Sequence, residues 1–172
     1  RVYGLKTVVF RHSSIYGGRQ FSTYDQGWIG WFISEILKQY DSSLSQNNIN
    51  HFTISGNGKQ VRDVLHSRDL VSLYEAAFNK KSIMNGEIFN IGGGVRNSLS
   101  ILELIDLIKE IKGLKDINYS CIARRKSDQD YFCANIEKAK KILDWEPQIS
   151  KEEGIKMMIE WLNFANKNKL IF

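Results

Sequence analysis

The sequence is short of cysteine, histidine and proline: its 172 residues include two cysteines, three histidines and one proline. Cys121 and Cys133 lack the spacing of a disulfide framework, which favours a reducing compartment, with the cytoplasm as the default expectation. The histidines and cysteines share no metal-ligand spacing, and we expect no metal site. No apolar run reaches membrane-spanning length, and no signal-peptide pattern is visible. These deficits argue against a disulfide-stapled, zinc-stabilised or membrane-spanning fold.

The charge balance is mildly basic, with a net charge of +5. The hydrophobic fraction of 42% is enough to bury a core, and the length suits one domain or part of a larger one. The densest basic run, Arg124–Lys126, is followed at once by Ser127 and Asp128 and has no interleaved aromatic residues. A nucleic-acid surface needs such interleaving. A small acidic ligand therefore fits this sequence better than a polymer.

Hydrophobic periodicity predicts an α/β fold with at least one parallel strand pair. Thr7–Phe10 is a β-branched and aromatic run, typical of a strand buried on both faces, and Glu87–Ile91 and Ile117–Ile122 are further strands. Phe52–Ile54 and Val61–Leu65 flank a glycine turn, which predicts a β-hairpin. Helices are predicted, some from capping residues, over Trp28–Tyr40, Asp69–Asn79, Ile101–Ile111, Asn135–Trp145 and the segment after Ser150.

Two further segments of the sequence carry weaker structural signals. Asp41–Asn50 reads as a polar loop that tolerates substitution. Arg1–Gly4 reads as the last turn of a helix with a glycine after its end, and a strand begins directly afterwards. We therefore expect the chain to be a piece of a longer protein, cut just after a helix.

Two arginines stand in polar settings: Arg62, beside the Gly56–Gly58 turn, and Arg125, which opens the segment to Gln129. A guanidinium group is always charged and binds phosphate oxygens with two parallel hydrogen bonds. Arg62 is either a surface residue paired with Asp63 or is held inward by a ligand, and Arg125 lies either in a solvated loop or at a ligand. Two such groups on separate loops suggest a clamp for a diphosphate.

Further polar segments have competing interpretations. Ser13 and Ser14 follow the first strand, where parallel sheets bind ligands, or they form a satisfied turn. Of Trp28 and Trp31, one is expected in the core, whereas the other is a candidate to stack on a base or sugar. The polar cluster Asp63–Asp69 is interpreted as a helix cap rather than a catalytic group.

Gly92–Asn97 follows a strand and precedes a helix, as a dinucleotide-binding glycine fingerprint does. Asn97 occupies the place of the third glycine, and no acidic residue ends a following strand at the expected distance. A plain strand-to-helix turn is the preferred interpretation.

Four segments in order carry a resemblance to a known family: Phe10–Gly17, Gly56–Asp63, Phe89–Gly93 and Ala134–Pro147. Together they resemble the carboxyl-terminal half of an extended short-chain dehydrogenase/reductase that acts on nucleotide sugars. Arg19–Trp28 and Arg125–Gln129 are most similar to the subgroup that epimerises C2 of a CDP-linked dideoxyhexose.

The resemblance implies the last Rossmann strands plus a small nucleotide-sugar-binding α/β subdomain, with NAD as cofactor on a domain upstream of Arg1. It further implies a CDP-linked dideoxyhexose as substrate, a keto intermediate formed by hydride removal and return, and a homo-oligomer. The residues expected to bind the substrate are Arg62, Arg125, Ser14, Gln26, Trp28 and Asp128. The residues expected to approach the cofactor are His12, Ser13 and Tyr16.

One departure from the family pattern limits what this chain can do. None of the seven tyrosines has a lysine four positions later, so the Tyr-x-x-x-Lys pair that moves protons in the family is not in this sequence. We therefore assign no catalytic residue and expect the chain alone to be inactive. A sister 4-epimerase or 4,6-dehydratase, or a noncatalytic nucleotide-binding domain, remain as alternatives.

Overall fold

The computed structural model describes residues 3–40, 51–82 and 85–170. The predicted loop Asp41–Asn50 lies outside those residues, as do Arg1 and Val2 of the predicted helix end Arg1–Gly4. The strands are β1 (Val8–His12), β2 (Ser14–Tyr16), β3 (Phe52–Ser55), β4 (Val61–His66), β5 (Glu87–Ile91), β6 (Ser98–Ser100), β7 (Tyr119–Ile122) and β8 (Tyr131–Phe132). The helices are α1 (Trp28–Gln39), α2 (Ser67–Asn79), α3 (Ile101–Lys112), α4 (Glu137–Leu143) and α5 (Lys151–Lys167), with a 3-10 turn at Val95–Asn97.

The predicted parallel pair is confirmed: β1 runs parallel to β5, with Val8 opposite Glu87 and His12 opposite Ile91. The prediction that the first strand is buried on both faces is wrong for this chain. On one face Phe10 of β1 packs against Phe89 of β5, whereas Val9 on the other face is 51% exposed. Successive side chains point to opposite faces, and in the described residues one face of this pair is buried while the other is exposed.

The predicted hairpin is also wrong. β3 pairs in parallel with β7, and β4 pairs with β2, β6 and β8, so β3 and β4 are not neighbours in a sheet. Gly56 and Gly58 do take the positive φ angles of a turn, +77° and +72°. The chain nevertheless diverges after the turn, because the Gly56 N–H donates to the carbonyl of Ile122 on the distant strand β7.

Two hydrophobic clusters hold the elements together. One joins α1, α3 and α5 through side chains such as Ile33, Leu104 and Met158. The other joins α2, α4 and β5 through Leu73, Leu143 and Phe89. Strand β4 contributes to both clusters, so it lies between them and positions the residues on either side of it.

The helix ends agree with the capping residues in the sequence. Ser100 and Glu103 form the predicted capping box at the start of α3, and Ser150 accepts from the Glu153 N–H at the start of α5. Helix α2 begins two residues before the predicted Asp69, because the His66 side chain caps it by accepting from the Arg68 N–H. In the described parts of the chain, no helix combines the length and hydropathy of a membrane span.

Candidate functional site

A cleft of about 250 Å³ opens between the start of α1 and strands β3 and β4. Aromatic side chains from the α1 region form one side, and polar groups of β3, β4 and the 125–128 loop form the other. Arg62 and Arg125, predicted from sequence as a pair, both border this cleft. The other lining residues are Tyr24, Asp25, Gly27, Trp28, Trp31, Phe32, Thr53, Ser55, Gln60, Ile101 and Asp128.

Arg62 is held by three neighbours. Its Nη1 donates to the carbonyls of Val61 at 2.8 Å and Gln129 at 2.9 Å, and its Nη2 donates to Asp128 Oδ1 at 2.9 Å. The Arg62 and Asp128 side chains are 23% and 25% exposed. The alternative that pairs Arg62 with Asp63 is wrong, since neighbouring residues of a strand point to opposite faces and Asp63 is fully buried. The structure thus fixes Arg62 at the cleft wall.

Asp128 is the centre of a small network beside Arg62. Its Oδ2 accepts from Gln60 Nε2 at 3.1 Å, and its carbonyl accepts from Arg124 Nη2 at 2.7 Å. Gln60 Nε2 also donates to the Ser55 carbonyl at 2.7 Å. The network ties the 124–129 loop to β3 and β4, and so brings Arg125 to the same opening as Arg62.

Arg125 is exposed and its guanidinium carbon lies 5.7 Å from the centre of the Tyr24 ring. A guanidinium over an aromatic face is attracted by the ring's negative face. Apart from this cation–π contact, no partner of the Arg125 side chain occurs among the described residues. Its hydrogen-bond donors are therefore available to an anion in the cleft.

One of the two tryptophans was expected in the core and the other at a ligand. In the structure, Trp28 and Trp31 both border the cleft and both are half-buried. Trp28 Nε1 donates to Ser14 Oγ at 3.3 Å, which places the indole and Ser14 beside each other. Trp31 packs edge-on against Phe32 and Phe52 of the core. Each ring can therefore present an apolar surface to a ligand.

The predicted cofactor-facing residues lie elsewhere. Ser13 binds back to the protein, with its N–H donating to the Ile91 carbonyl at 2.8 Å and its Oγ to the Asp63 carbonyl at 3.2 Å. His12, at the end of β1, is exposed and stands edge-on to Tyr74, and partial burial lowers the pKa of its imidazole. Neither residue borders the cleft, and their approach to a cofactor stays a prediction.

The side chain of Tyr16 is part of the core. It is 2% exposed and stands edge-on to His66 with ring centres 5.4 Å apart. Burial, helped by the nearby carboxylate of Asp69, raises the pKa of the phenol far above its ordinary value. The approach of Tyr16 to a cofactor stays a prediction.

Asp63 connects three segments behind the cleft wall. Its Oδ2 accepts from the N–H groups of Gly94 at 3.2 Å and Ala134 at 3.3 Å. Burial raises the pKa of the carboxyl, and hydrogen bonds from Gly94, Ala134 and Ser13 oppose that shift. The polar cluster Asp63–Asp69 is thus only partly a helix cap: His66 caps α2, whereas Asp69 accepts from the N–H groups of Gln148 and Ile149.

The glycine segment Gly92–Gly94 is not a dinucleotide cradle. A Cβ at Gly92 or Gly93 would lie 2.0 Å from Asp63 Oδ2 or the Val64 carbonyl oxygen, respectively. These glycines let β5 approach β4 closely, and their backbone is buried. A 3-10 turn and β6 also lie between this segment and α3. The interpretation of Gly92–Asn97 as a plain turn is therefore closer to the structure than its interpretation as a dinucleotide-binding fingerprint.

Sequence reasoning missed several lining residues and included two that do not line the cleft. Ser14 lies beside Trp28 but is not among the lining residues. Gln26 is exposed and is also not among them, although Asp25 and Gly27 on either side of it are. Tyr24 and Gln60 were missed as contributors to the site. Their signal was their position: Tyr24 lies within the segment Arg19–Trp28 that carries the resemblance, and Gln60 lies two residues from Arg62.

The chemistry of the cleft is that of binding. Among its described lining residues are two arginines, the carboxylates of Asp25 and Asp128, and no histidine or lysine. Within the parts of the chain that the structure describes, no group of three or more histidine, cysteine, aspartate or glutamate side chains is placed to hold a metal ion. Aromatic walls with two guanidinium groups suit an anionic ligand that carries a flat or apolar body.

Comparisons with known proteins show which family this chain resembles over most of its length. The family model described as GDP-mannose 4,6 dehydratase matches residues 1–158. A CDP-paratose 2-epimerase of Salmonella typhi is 49% identical over 162 residues, which are 94% of this chain and 46% of that protein. The chain thus spans about half the length of the curated relatives it matches.

Two solved structures have the same fold over nearly the whole chain. A UDP-glucose 4-epimerase of Thermotoga maritima, with UDP-glucose, has a TM-score of 0.78 at 30% identity and covers 95% of this chain and 48% of its own. A UDP-glucuronic acid 4-epimerase of Bacillus cereus, in complex with UDP-glucuronic acid and NAD, has a TM-score of 0.77 at 25% identity. It covers 92% of this chain and 45% of its own.

Proposed function

Because the chain belongs to the GDP-mannose 4,6 dehydratase family of extended short-chain dehydrogenases/reductases, we propose that it is the substrate-binding half of a nucleotide-sugar epimerase. The proposed reaction is inversion at C2 of CDP-paratose to give CDP-tyvelose, by hydride removal and return through a keto intermediate. The subgroup assignment is supported by the 49% identity to the Salmonella typhi CDP-paratose 2-epimerase. A cytoplasmic location and a homo-oligomer belong to the same proposal.

The observation that carries the proposal is the shared cleft of Arg62 and Arg125. They come from separate segments, strand β4 and the 125–128 loop, and meet at one opening lined with Tyr24, Trp28 and Trp31. Bidentate guanidinium groups are suited to the oxygens of a pyrophosphate, and an aromatic wall is suited to a base or sugar. A nucleoside diphosphate offers both groups in one molecule.

Anchoring through the nucleotide fits the proposed reaction. An epimerase has to present both faces of one sugar carbon, so the sugar itself cannot be held tightly in a single orientation. Binding energy from the remote nucleotide then positions the reacting carbon. Arg62 and Arg125 would hold the diphosphate, Trp28 would contact the base or sugar, and Ser14, which accepts from Trp28 Nε1, would fix the indole and lie near the sugar.

NAD would supply the hydride acceptor in the whole enzyme. The glycine segment Gly92–Gly94 is not suited to cradle its pyrophosphate, because Gly92 and Gly93 are buried against β4 and Asp63. His12 and Ser13, at the carboxyl end of β1, are the candidates to approach it from this half.

The proposal is tested first by ligand choice. Isothermal titration calorimetry of this chain with CDP-, UDP- and GDP-sugars is expected to give the tightest binding with a CDP-sugar. The whole protein is expected to convert CDP-paratose to its C2 epimer, whereas this chain alone shows no turnover. Proton NMR of the sugar follows the reaction. Preference for a UDP-sugar with change at C4 would instead support a sister 4-epimerase, and the absence of binding to every nucleotide sugar would contradict the proposal.

A further inference from the structure

We propose that a second cavity, at the opposite end of strand β4 from the diphosphate cleft, binds a phosphate group. The cavity has a volume of about 520 Å³ and shares no lining residue with the cleft. It lies between the turn after β2, the start of α2 and one face of α5. The lining residues that bear on binding are Arg19, His66, Ser67, Arg68, Glu160 and Trp161.

Strand β4 separates the second cavity from the cleft. Arg62, the second residue of the strand, borders the cleft, whereas His66, its last residue, borders the second cavity. Four residues of extended chain set these two positions roughly 13 Å apart along the strand. Binding in the second cavity is therefore a property beyond the proposed nucleotide-sugar binding.

His66 brings an unused hydrogen-bond donor to the second cavity. The residue is 3% exposed, and its Nδ1 accepts from the Arg68 N–H at 3.3 Å. Burial lowers the pKa of the imidazole, so the ring is neutral at neutral pH, and its proton lies on Nε2 because Nδ1 is an acceptor. Nε2 is buried and has no hydrogen-bond partner among the described residues. A buried donor without a partner is unfavourable, and an acceptor bound in the cavity would supply that partner.

Helices α5 and α2 supply further donors. Trp161 Nε1 is buried and lacks a partner in the described part of the chain, and an indole N–H can only donate. Ser67, the first residue of α2, adds a hydroxyl group. A Cβ at Gly17 would touch both Ser67 Oγ and His66 Nε2, so these two groups lie beside each other. They lie at the N-terminal end of α2, which carries partial positive charge.

Positive charge exceeds negative charge around the second cavity. Arg19 and Arg68 are both exposed, and neither guanidinium group has a partner among the described residues. Of the described lining residues, Glu160 alone is acidic, so it offsets one of the two positive charges. Guanidinium groups and N–H donors that come from three segments suit the several oxygens of a phosphate group better than the two oxygens of a carboxylate.

Two sources could supply this chemistry: free phosphate and a phosphate ester of a small organic molecule. Trp161 and Phe164 line the same cavity, with ring centres 6.0 Å apart. Aromatic rings beside a cluster of donors favour a ligand that carries an apolar body next to its phosphate. We therefore expect an ester to bind more tightly than free phosphate.

Isothermal titration calorimetry of the whole protein, with the cleft filled by saturating CDP, tests this site. The probes are inorganic phosphate and phenyl phosphate. We expect both probes to bind in the presence of CDP, with phenyl phosphate the tighter of the two because its ring can pack against Trp161 and Phe164. Equal affinities would assign the site to free phosphate. If neither probe binds while CDP is bound, the proposal is overturned.

Three variants connect the binding to the second cavity. Arg68→Gln and Arg19→Asn are each expected to weaken phosphate binding about tenfold or more, because each removes a charged donor. Asparagine is used at position 19 because it tolerates the φ of +67° found there. Glu160→Gln is expected to tighten phosphate binding, because it removes a like charge from the cavity wall.

Arg96→Ala is the matched control, because it removes an exposed arginine that lines neither the second cavity nor the cleft. We expect it to leave the affinity for phosphate unchanged. Unchanged affinity in both Arg68→Gln and Arg19→Asn, or an equal loss in Arg96→Ala, would contradict the proposed site. If CDP itself does not bind the wild-type protein, the proposed function is contradicted, and the same variants are compared without CDP.

Discussion

The carboxylate of Asp63 packs against Gly92 so closely that a Cβ at Gly92 would lie 2.0 Å from Asp63 Oδ2. The same Cβ would lie 2.7 Å from Ser13 Oγ and 2.8 Å from the Ala134 side chain. Strand β5, strand β4 and the segment after β8 meet at this point. The contact behind Arg62 therefore requires a residue without a side chain at position 92.

Gly92→Ala is expected to destabilise the chain by about 1–3 kcal/mol, the usual cost of overpacking a filled interior. Urea denaturation followed by circular dichroism measures the loss. Gly18→Ala is the matched control, because a Cβ there would meet Trp161 at an ordinary 3.7 Å. A variant Gly92→Ala as stable as Gly18→Ala would show that this contact is not as tight as the structure has it.

The variant Asp63→Asn tests how the buried carboxyl makes the free energy of unfolding depend on pH. Burial raises the pKa of Asp63 above the ordinary 3.8, so the folded state holds this proton more tightly than the unfolded state. Its ionisation therefore costs stability at neutral pH, and that cost disappears as the pH falls through the folded-state pKa. We expect wild type to gain stability relative to Asp63→Asn between pH 7 and pH 4. A constant difference in the free energy of unfolding would contradict the shift.

The variant His66→Asn tests a second buried group, for which the dependence of stability on pH has the opposite sign. Burial lowers the pKa of the His66 imidazole below 6.5, so the unfolded state takes up the proton first. Stability is full above pH 6.5 and is lost as the pH falls towards the folded-state pKa, by at most about 1.4 kcal/mol per pH unit. Asparagine keeps an oxygen to cap α2. We expect thermal unfolding of the variant to depend less on pH between 7.5 and 5.5.

The histidine prediction has an internal control in His12, whose pKa is also lowered by burial. We expect the variant His12→Asn to keep the part of the pH dependence of stability that is due to His66. If His66→Asn and wild type lose stability in parallel over the same range, His66 is not kept neutral by burial and the cap assignment needs another explanation.

Local patterns in the sequence were sufficient for most helices. Ser100, Glu103 and the apolar spacing placed α3 within one residue of its observed end at Lys112. Such signals are local, because a helix satisfies its hydrogen bonds within its own segment. The hairpin prediction failed because strand partners are chosen over the whole chain: Phe52 pairs with Tyr119, and no residue near the glycine turn records that.

The site residues, like the fold, were predictable from local signals but not from contacts made over long distances along the chain. Arg62 and Arg125 were predictable because arginine in a polar setting is a recognisable residue type, and the resemblance supplied their order along the chain. The network around Arg62 was not predictable: Asp128 was expected to bind the substrate, and its bonds to Arg62 and Gln60 depend on a loop that packs across β3 and β4. No local pattern predicted the burial of Tyr16, because it depends on the parallel pairing of β2 with β4, which places the ring in the core beside His66.

The central claim is that Arg62 and Arg125 hold one diphosphate, and a double-mutant cycle on CDP binding tests it most directly. Isothermal titration calorimetry compares wild type, Arg62→Ala, Arg125→Ala and the double variant, with the exposed Arg96, outside the cleft, replaced by alanine as control. Each single variant is expected to weaken CDP binding by about 1.5–3 kcal/mol. The double variant should depart from the sum of the two losses by at least about 0.5 kcal/mol, since both groups contact the same ligand. Affinities equal to wild type in both single variants would contradict the claim.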